Sequence, residues 1–204
     1  MIKINPVPAI IIGNGKSRLQ FDLESLKNYG VTFGCNGIYR DFSPDYLVAM
    51  DRNMVDEIIQ AKAYMNSVFY TQYDNAIEKQ IIRDRLPINF TQPISETNDS
   101  GTSCVKLATG FGFTRIFMLG FDYISDNPYK LNNVYAGTKN YGPPENHVHE
   151  KCYDRWRAHL KRVILANPQT EYYRVNLNNY EPNIRCSNYH NITKEEYEQY
   201  IQVS

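Results

Sequence analysis

The sequence predicts an α/β fold: a single domain with a mostly parallel sheet flanked by helices and a long lid loop. Three observations predict it. Short β-branched or apolar runs alternate with helix-like stretches along most of the 204 residues, the pattern of strands joined by crossover helices. The first run closes on Gly13-Asn14-Gly15, a tight turn between a strand and the segment that follows it. No repeat, linker or low-complexity tract interrupts the order, so residues 1–204 are expected to form one nucleotide-binding, Rossmann-like domain.

Each element follows from a local pattern. Residues 7–12 are a β-branched run and read as a buried strand. Residues 17–28 place Leu19, Phe21, Leu23 and Leu26 at helix-like spacing, with Gly30 as the stop. Residues 31–36 and 44–51 read as the second and third strands, with Asp51 at the carboxyl end of the third. A helix over 53–64 and a short strand over 67–70 follow. The pattern weakens from 71 to 98, where a helix fits 76–85 and Pro87 and Pro93 mark a loop. Order returns with a helix over 102–110 and an apolar strand over 115–120.

Residues 124–146 are rich in Asn, Tyr, Gly and Pro without periodicity, and a loop of that length is expected to be an active-site lid. A helix over 149–166 turns Trp156, Leu160, Val163 and Ile164 inward. Residues 171–175 read as the last strand. Thr193-Lys194-Glu195-Glu196 is a capping pattern that opens a terminal helix over 193–201.

Composition narrows the function classes. The hydrophobic fraction of 42% and charged fraction of 22% match an ordinary globular mixture, which excludes disorder as the main state. Lys plus Arg equals Asp plus Glu at 22 each, so the chain lacks the basic excess of a nucleic-acid binder. Cys35, Cys104, Cys152 and Cys186 form no CxxC pair, which argues against a zinc cage or a disulfide framework and for reduced thiols in a cytosol. The apolar run at residues 9–12 is too short for a signal h-region, and no stretch approaches the roughly 20 apolar residues of a membrane helix. A cytoplasmic protein is expected; an oligomer is compatible with the pattern. The 17 tyrosines against one tryptophan supply flat faces with hydroxyls, as sugar and phosphate sites use.

The residues that could carry chemistry end successive strands. Gly13-Asn14-Gly15-Lys16-Ser17 lets a backbone approach a phosphate or ribose, although Arg18 replaces the third glycine of a dinucleotide fingerprint and the spacing is not that of a P-loop. Asn36 after the second strand can pair with a base or ribose, or make an Asx-turn. Asp51 closes the third strand, where it could also cap the following helix. Ser100-Gly101-Thr102 offers hydroxyls and N–H groups to an anion, or a plain N-cap. Asp122 and Tyr123 end the fifth predicted strand. His147 and His149, in the loop before a helix, are candidate general bases, and without a third ligand nearby they make no metal site.

These residues also carry a resemblance. Gly13-Asn14-Gly15-x-Ser17, Cys35-Asn36-Gly37-Ile38-Tyr39, Ser100-Gly101-Thr102 and Gly112-Phe113-x-x-Ile116-x-x-x-Gly120-Phe121-Asp122-Tyr123, in that order, resemble the motifs of the bacterial sialyltransferases of glycosyltransferase family 42. His149-Glu150-Lys151-Cys152-Tyr153-Asp154 matches that family's His-x-Lys-x-x-Asp spacing. The likeness covers residues 10–166; Lys16 replaces the family's proline, and Asp51 stands where an asparagine-containing segment is expected.

The resemblance implies an inverting, metal-independent glycosyltransferase that moves a sugar from a nucleotide donor, CMP-linked, to a glycan or other hydroxyl acceptor. It implies a nucleotide held by Gly13, Asn14, Gly15, Asn36, Asp51, Ser100, Gly101, Thr102 and Asp122. It further implies lid tyrosines Tyr129, Tyr135 and Tyr141 at the leaving phosphate, with His149 as general base. Pro44-Asp45-Tyr46 to Asp51 is also similar to the archaeal pterin pyrophosphokinase-like proteins, which implies an alternative: a Mg²⁺-dependent enzyme with Asp51 or Asp122 on the metal. A nucleotide-binding module without catalysis is a third reading. The compact size and Asn/Tyr bias are compatible with a virus-encoded protein or a surface-polysaccharide locus.

Overall fold

The computed structural model describes residues 7–91, 99–124, 132–143, 150–175 and 180–202. Eight strands form one sheet: β1 (Ala9–Ile12), β2 (Val31–Cys35), β3 (Tyr46–Ala49), β4 (Val68–Gln72), β5 (Ile88–Thr91), β6 (Arg115–Leu119), β7 (Glu171–Val175) and β8 (Tyr189–Ile192). Their order is β5-β4-β3-β2-β1-β6-β7-β8, and every neighbouring pair is parallel. Five α-helices accompany them: α1 (Arg52–Gln60), α2 (Asn75–Asp84), α3 (Ser100–Gly110), α4 (Glu150–Leu165) and α5 (Lys194–Gln202).

A parallel strand must be covered on both faces, and β1 reads accordingly as Ala-Ile-Ile-Ile, every residue fully buried. The pleat sends Ile10 and Ile12 to one side, where Val55 and Ile58 of α1, Ile77 and Ile81 of α2, and Tyr197 and Ile201 of α5 complete a core. It sends Ala9 and Ile11 to the other, against Cys104, Val105 and Ala108 of α3 and Leu160, Val163 and Ile164 of α4. The result is three layers.

Several expectations need correction. The single helix read over 17–28 is two 3₁₀ helices, Lys16–Gln20 and Ser25–Asn28. Polar anchors override the apolar spacing there: Ser17 is bound to Asp122, Arg18 is turned inward, and Leu19, expected inside, is 71% exposed. Strand β5 lies where Pro87 and Pro93 predict a loop, yet an edge strand tolerates a proline just before its first residue. Residues 171–175 are not the last strand either, since the polar Tyr-His-Asn-Ile of β8 pairs along β7. Helix α3 starts at Ser100 rather than Thr102, because Asp99 caps it and accepts from the Thr102 N–H at 2.6 Å. The terminal capping box forms as read: the Thr193 N–H donates to Glu196 Oε2 at 2.7 Å, and the Glu196 N–H donates to Thr193 Oγ1 at 3.2 Å. No helix among the described residues is long and apolar enough to cross a membrane.

Candidate functional site

The strand order contains one reversal. From β1 the chain winds outward through β2, β3, β4 and β5, then returns to place β6 on the other side of β1. The carboxyl ends of β1 and β6 therefore meet at the switch point of the sheet, the place where open α/β sheets bind ligands. A cleft of about 690 Å³ lies there. That is the size range of small-molecule sites.

The glycines of the first turn serve the approach of the loops that follow β1 and β6. The Gly13 N–H donates to Leu119 O at 2.8 Å and the Gly15 N–H to Gly120 O at 3.0 Å. A Cβ on Gly13 would stand 2.6 Å from Gly120 O, and one on Gly15 2.5 Å from Asp122 Oδ2. Gly120 itself sits at φ +70°, a conformation that side chains disfavour. The turn is thus packed against its partner loop, and the Asp122 carboxylate holds it by accepting from the Ser17 N–H at 3.1 Å and from the Ser17 hydroxyl.

Beneath the turn lies a buried polar network. Arg18 is 1% exposed. It donates to Asn14 Oδ1 at 3.0 Å, to Asp41 Oδ2 at 2.8 Å and to the Tyr135 hydroxyl at 2.6 Å, while that hydroxyl donates to Asp41 Oδ1. The Asn14 amide in turn donates to Cys35 O at 3.1 Å and to the Tyr141 hydroxyl at 3.3 Å, which also accepts from the Gly37 N–H at 3.0 Å. Burial pushes the Tyr135 and Tyr141 hydroxyls above the ordinary phenol range, so both stay protonated.

Segment 132–143 is fastened over this network. Lys16 N–H donates to Asn132 Oδ1 at 2.9 Å, and Val134 N–H to Asn14 O at 2.9 Å. On its far side Glu57 of α1 accepts from Arg40 at 2.6 Å and from the Asn140 amide at 2.6 Å, while Arg40 also donates to Thr138 Oγ1 at 2.6 Å. Burial raises the Glu57 pKa, but bonds from Tyr39 and Arg40 outweigh it and leave the carboxyl below its ordinary value. The same carboxylate, after burial, lifts Tyr39 to about 12.

Of the residues expected at the ligand, Gly13, Asn14, Gly15, Asn36, Asp51, Ser100, Gly101, Asp122 and Tyr141 line the cleft. Thr102 does not; it is buried in α3. Tyr135 does not line it either, because its hydroxyl is committed to Arg18 and Asp41 below. Tyr129, His147 and His149 lie outside the described residues.

The lining residues differ in what they have left to offer. The Asn14 amide, the Asp122 carboxylate and the Ser100 hydroxyl, which accepts from Met50 N–H at 3.1 Å, are already engaged. Asn36 is held at φ +53°, with its buried Oδ1 lacking any partner among the described residues. Asp51 occupies the N-cap position of α1 but makes no capping bond, and burial raises its pKa.

The sequence pattern missed other groups. Arg52 on α1 and Arg155 on α4 line the cleft without an ion pair among the described residues. Tyr153 and Trp156 meet edge to face at 5.4 Å on the α4 wall, at the i, i+3 spacing that could have marked them as one helix face. Asp99 joins α3 to α4 through His159, 3.2 Å from its Nδ1, and Arg174 of β7 braces the β6 loop by donating to Phe121 O at 2.6 Å. The cleft can thus receive an anion at the α3 N-terminus and the arginines, and a flat ring at α4. Among the described residues no three His, Cys, Asp or Glu side chains form a group able to hold a metal ion.

No protein-family model matches the chain, and no curated protein is similar to it. A solved structure does match: an α-2,3-sialyltransferase from Campylobacter jejuni in apo form, at TM-score 0.53 and 14% identity, covering 100% of this chain and 97% of that one. At that identity the likeness is one of fold.

Proposed function

We propose that the chain is a glycosyltransferase of the sialyltransferase-like type, moving a sugar from a nucleotide donor to a hydroxyl acceptor. The observation that carries this reading is the cleft at the sheet's reversal, where the start of α3, Arg52 and Arg155 supply positive charge beside the Tyr153–Trp156 face. Such a site suits a phosphorylated nucleoside: phosphate toward the helix start and the arginines, base along the aromatic wall. A CMP-linked donor is the first to test, as the sequence resemblance implies.

Transfer breaks the anomeric C–O bond, and the electron pair leaves with the nucleotide phosphate. N–H groups at the start of α3 and the Arg155 guanidinium stabilise the growing charge without a metal. The acceptor oxygen attacks from the opposite face, inverting the centre, while a base takes its proton. His149, which immediately precedes α4 in sequence, is assigned that role, and segment 124–146 that of a lid.

Calorimetric titration with CMP, UDP, GDP and ATP tests the reading, with emission of Trp156, the chain's one tryptophan, as a local reporter. Heat accompanied by a change in emission is expected. Heat without it places binding away from α4, and no binding of any nucleotide refutes the proposal. With donor and acceptor identified, His149→Ala is expected to lower turnover by about 10²–10⁴-fold with little change in nucleotide affinity. EDTA is expected to leave turnover unchanged; abolition reversed by Mg²⁺ would instead favour the pyrophosphokinase reading.

A further inference from the structure

The cleft offers both donors and acceptors. The start of α3 and the two arginines present donors and positive charge. The ends of β2 and β3 present acceptors whose needs the protein does not meet. Asn36 holds a buried Oδ1 with no partner among the described residues. The Asp51 carboxylate makes no hydrogen bond or ion pair with any described residue, although it stands where capping α1 would be the ordinary use of an aspartate.

An aspartate at an N-cap position that forgoes the cap is free for something else. Adjacent parallel strands lie about 4.8 Å apart, so the ends of β2 and β3 can meet one small ligand. Hydrogen-bond donors on uncharged groups satisfy this wall, and a carboxylate accepts two neighbouring hydroxyls at once.

We infer that Asp51 determines ligand specificity in this cleft: its carboxylate accepts a vicinal pair of hydroxyls from the bound nucleotide or nucleotide sugar. The inference rests on the nucleotide reading of the cleft and deepens it. The diol has two sources, the ribose of the nucleotide and the sugar to be transferred. Either way Asp51 acts by recognition and takes no part in bond breaking.

The test compares wild type with Asp51→Ala and Asp51→Asn by calorimetry, using CMP and UDP, their 2′-deoxy forms, UDP-glucose and its analogues lacking the sugar 2- or 4-hydroxyl. The Asp51 carboxylate makes no bond with a described residue, so both variants are expected to keep the wild-type melting temperature, which excludes a folding effect. If the ribose supplies the diol, wild type prefers the ribonucleotide by about 10–100-fold and Asp51→Ala erases the preference. If the sugar supplies it, nucleotides bind all proteins alike, wild type prefers UDP-glucose to at least one of its deoxy-sugar analogues by about 10–100-fold, and Asp51→Ala erases that preference. Identical behaviour of wild type and variants toward every ligand overturns the role of Asp51 while leaving the nucleotide reading intact. Absence of binding by wild type itself overturns both.

Discussion

Arg18 shows how one residue ties the site to the fold. Its guanidinium is buried under the first turn, and its one ionic partner among the described residues, Asp41, has a side chain 48% exposed. The two ends of the pair are therefore unequal. Removing Asp41 leaves a buried cation without a carboxylate, whereas removing Arg18 leaves a carboxylate that water can reach. Asp41→Ala is expected to destabilise by about 2–3 kcal/mol, the lower part of the range for broken buried pairs because Asp41 is half solvated. Arg18→Met is expected to cost less, and denaturant unfolding of the two variants checks the order. The sequence marked Gly13, Asn14, Asn36 and Asp51 because strand ends are legible from apolar runs and the turns that close them. It did not mark Arg18, since a charged residue beside an apolar run ordinarily reads as surface. What turns Arg18 inward is Asp41 and Tyr135, 23 and 117 residues away in sequence. The setting of Tyr135 is hidden for the same reason: a tyrosine in a polar loop gives no sign that its hydroxyl ends in a buried network.

At the scale of elements, the two facing turns and segment 132–143 make separate predictions. Glycine to alanine is one chemical change with two opposite outcomes in this chain. At Gly13 the new methyl meets the Gly120 carbonyl at 2.6 Å, and both partners are backbone, so the turn must shift. A loss of about 1–3 kcal/mol is expected, in the manner of overpacking. At Gly110, the last residue of α3, a Cβ meets nothing within 4 Å. Gly110→Ala is expected to stabilise by about 0.4–1 kcal/mol by restricting the unfolded chain. Thermal melts of the two variants should move in opposite directions.

Segment 132–143 is latched through Glu57, whose folded pKa is lowered. Such a group contributes stability above its unfolded pKa and loses it as pH falls through the lowered folded value. Proteolysis of 132–143 is therefore expected to accelerate as pH drops from the ordinary carboxylate range downward, and Glu57→Gln should flatten that dependence. Equal pH dependence in both proteins would mean that another group opens the segment. A long loop was legible here from composition and length. That 132–143 is pinned by Arg40 and Glu57 was not, because both anchors lie in other elements with ordinary surface patterns.

Across the whole molecule, the sheet's reversal at β1 and β6 places the cleft between two sets of strands. Six of the eight strands were readable from β-branched or apolar runs, and the two that were not, β5 and β8, are the edges, where burial no longer enforces an apolar pattern. The site is central, and so the strands that frame it were the legible ones. Its lining comes from both sides: Asn36 and Asp51 after β2 and β3, Asp122 and Tyr123 after β6, and Trp156 on α4. A ligand there contacts both sets and binds the folded chain alone, since the unfolded chain does not bring these ends together. At a free nucleotide concentration of about 100 times its Kd, linkage adds about 2.7 kcal/mol to the unfolding free energy. For a chain of this size each kcal/mol moves the melting temperature by about 2–4 °C, so a rise of about 5–10 °C is expected. The rise should grow with the logarithm of nucleotide concentration beyond saturation of the Trp156 signal, as linkage requires, and Asp51→Ala should reduce it for any ligand whose hydroxyls that carboxylate holds. Sodium chloride at matched ionic strength is the control: if it gives the same rise, the nucleotide acts as bulk salt and the cleft is not its site.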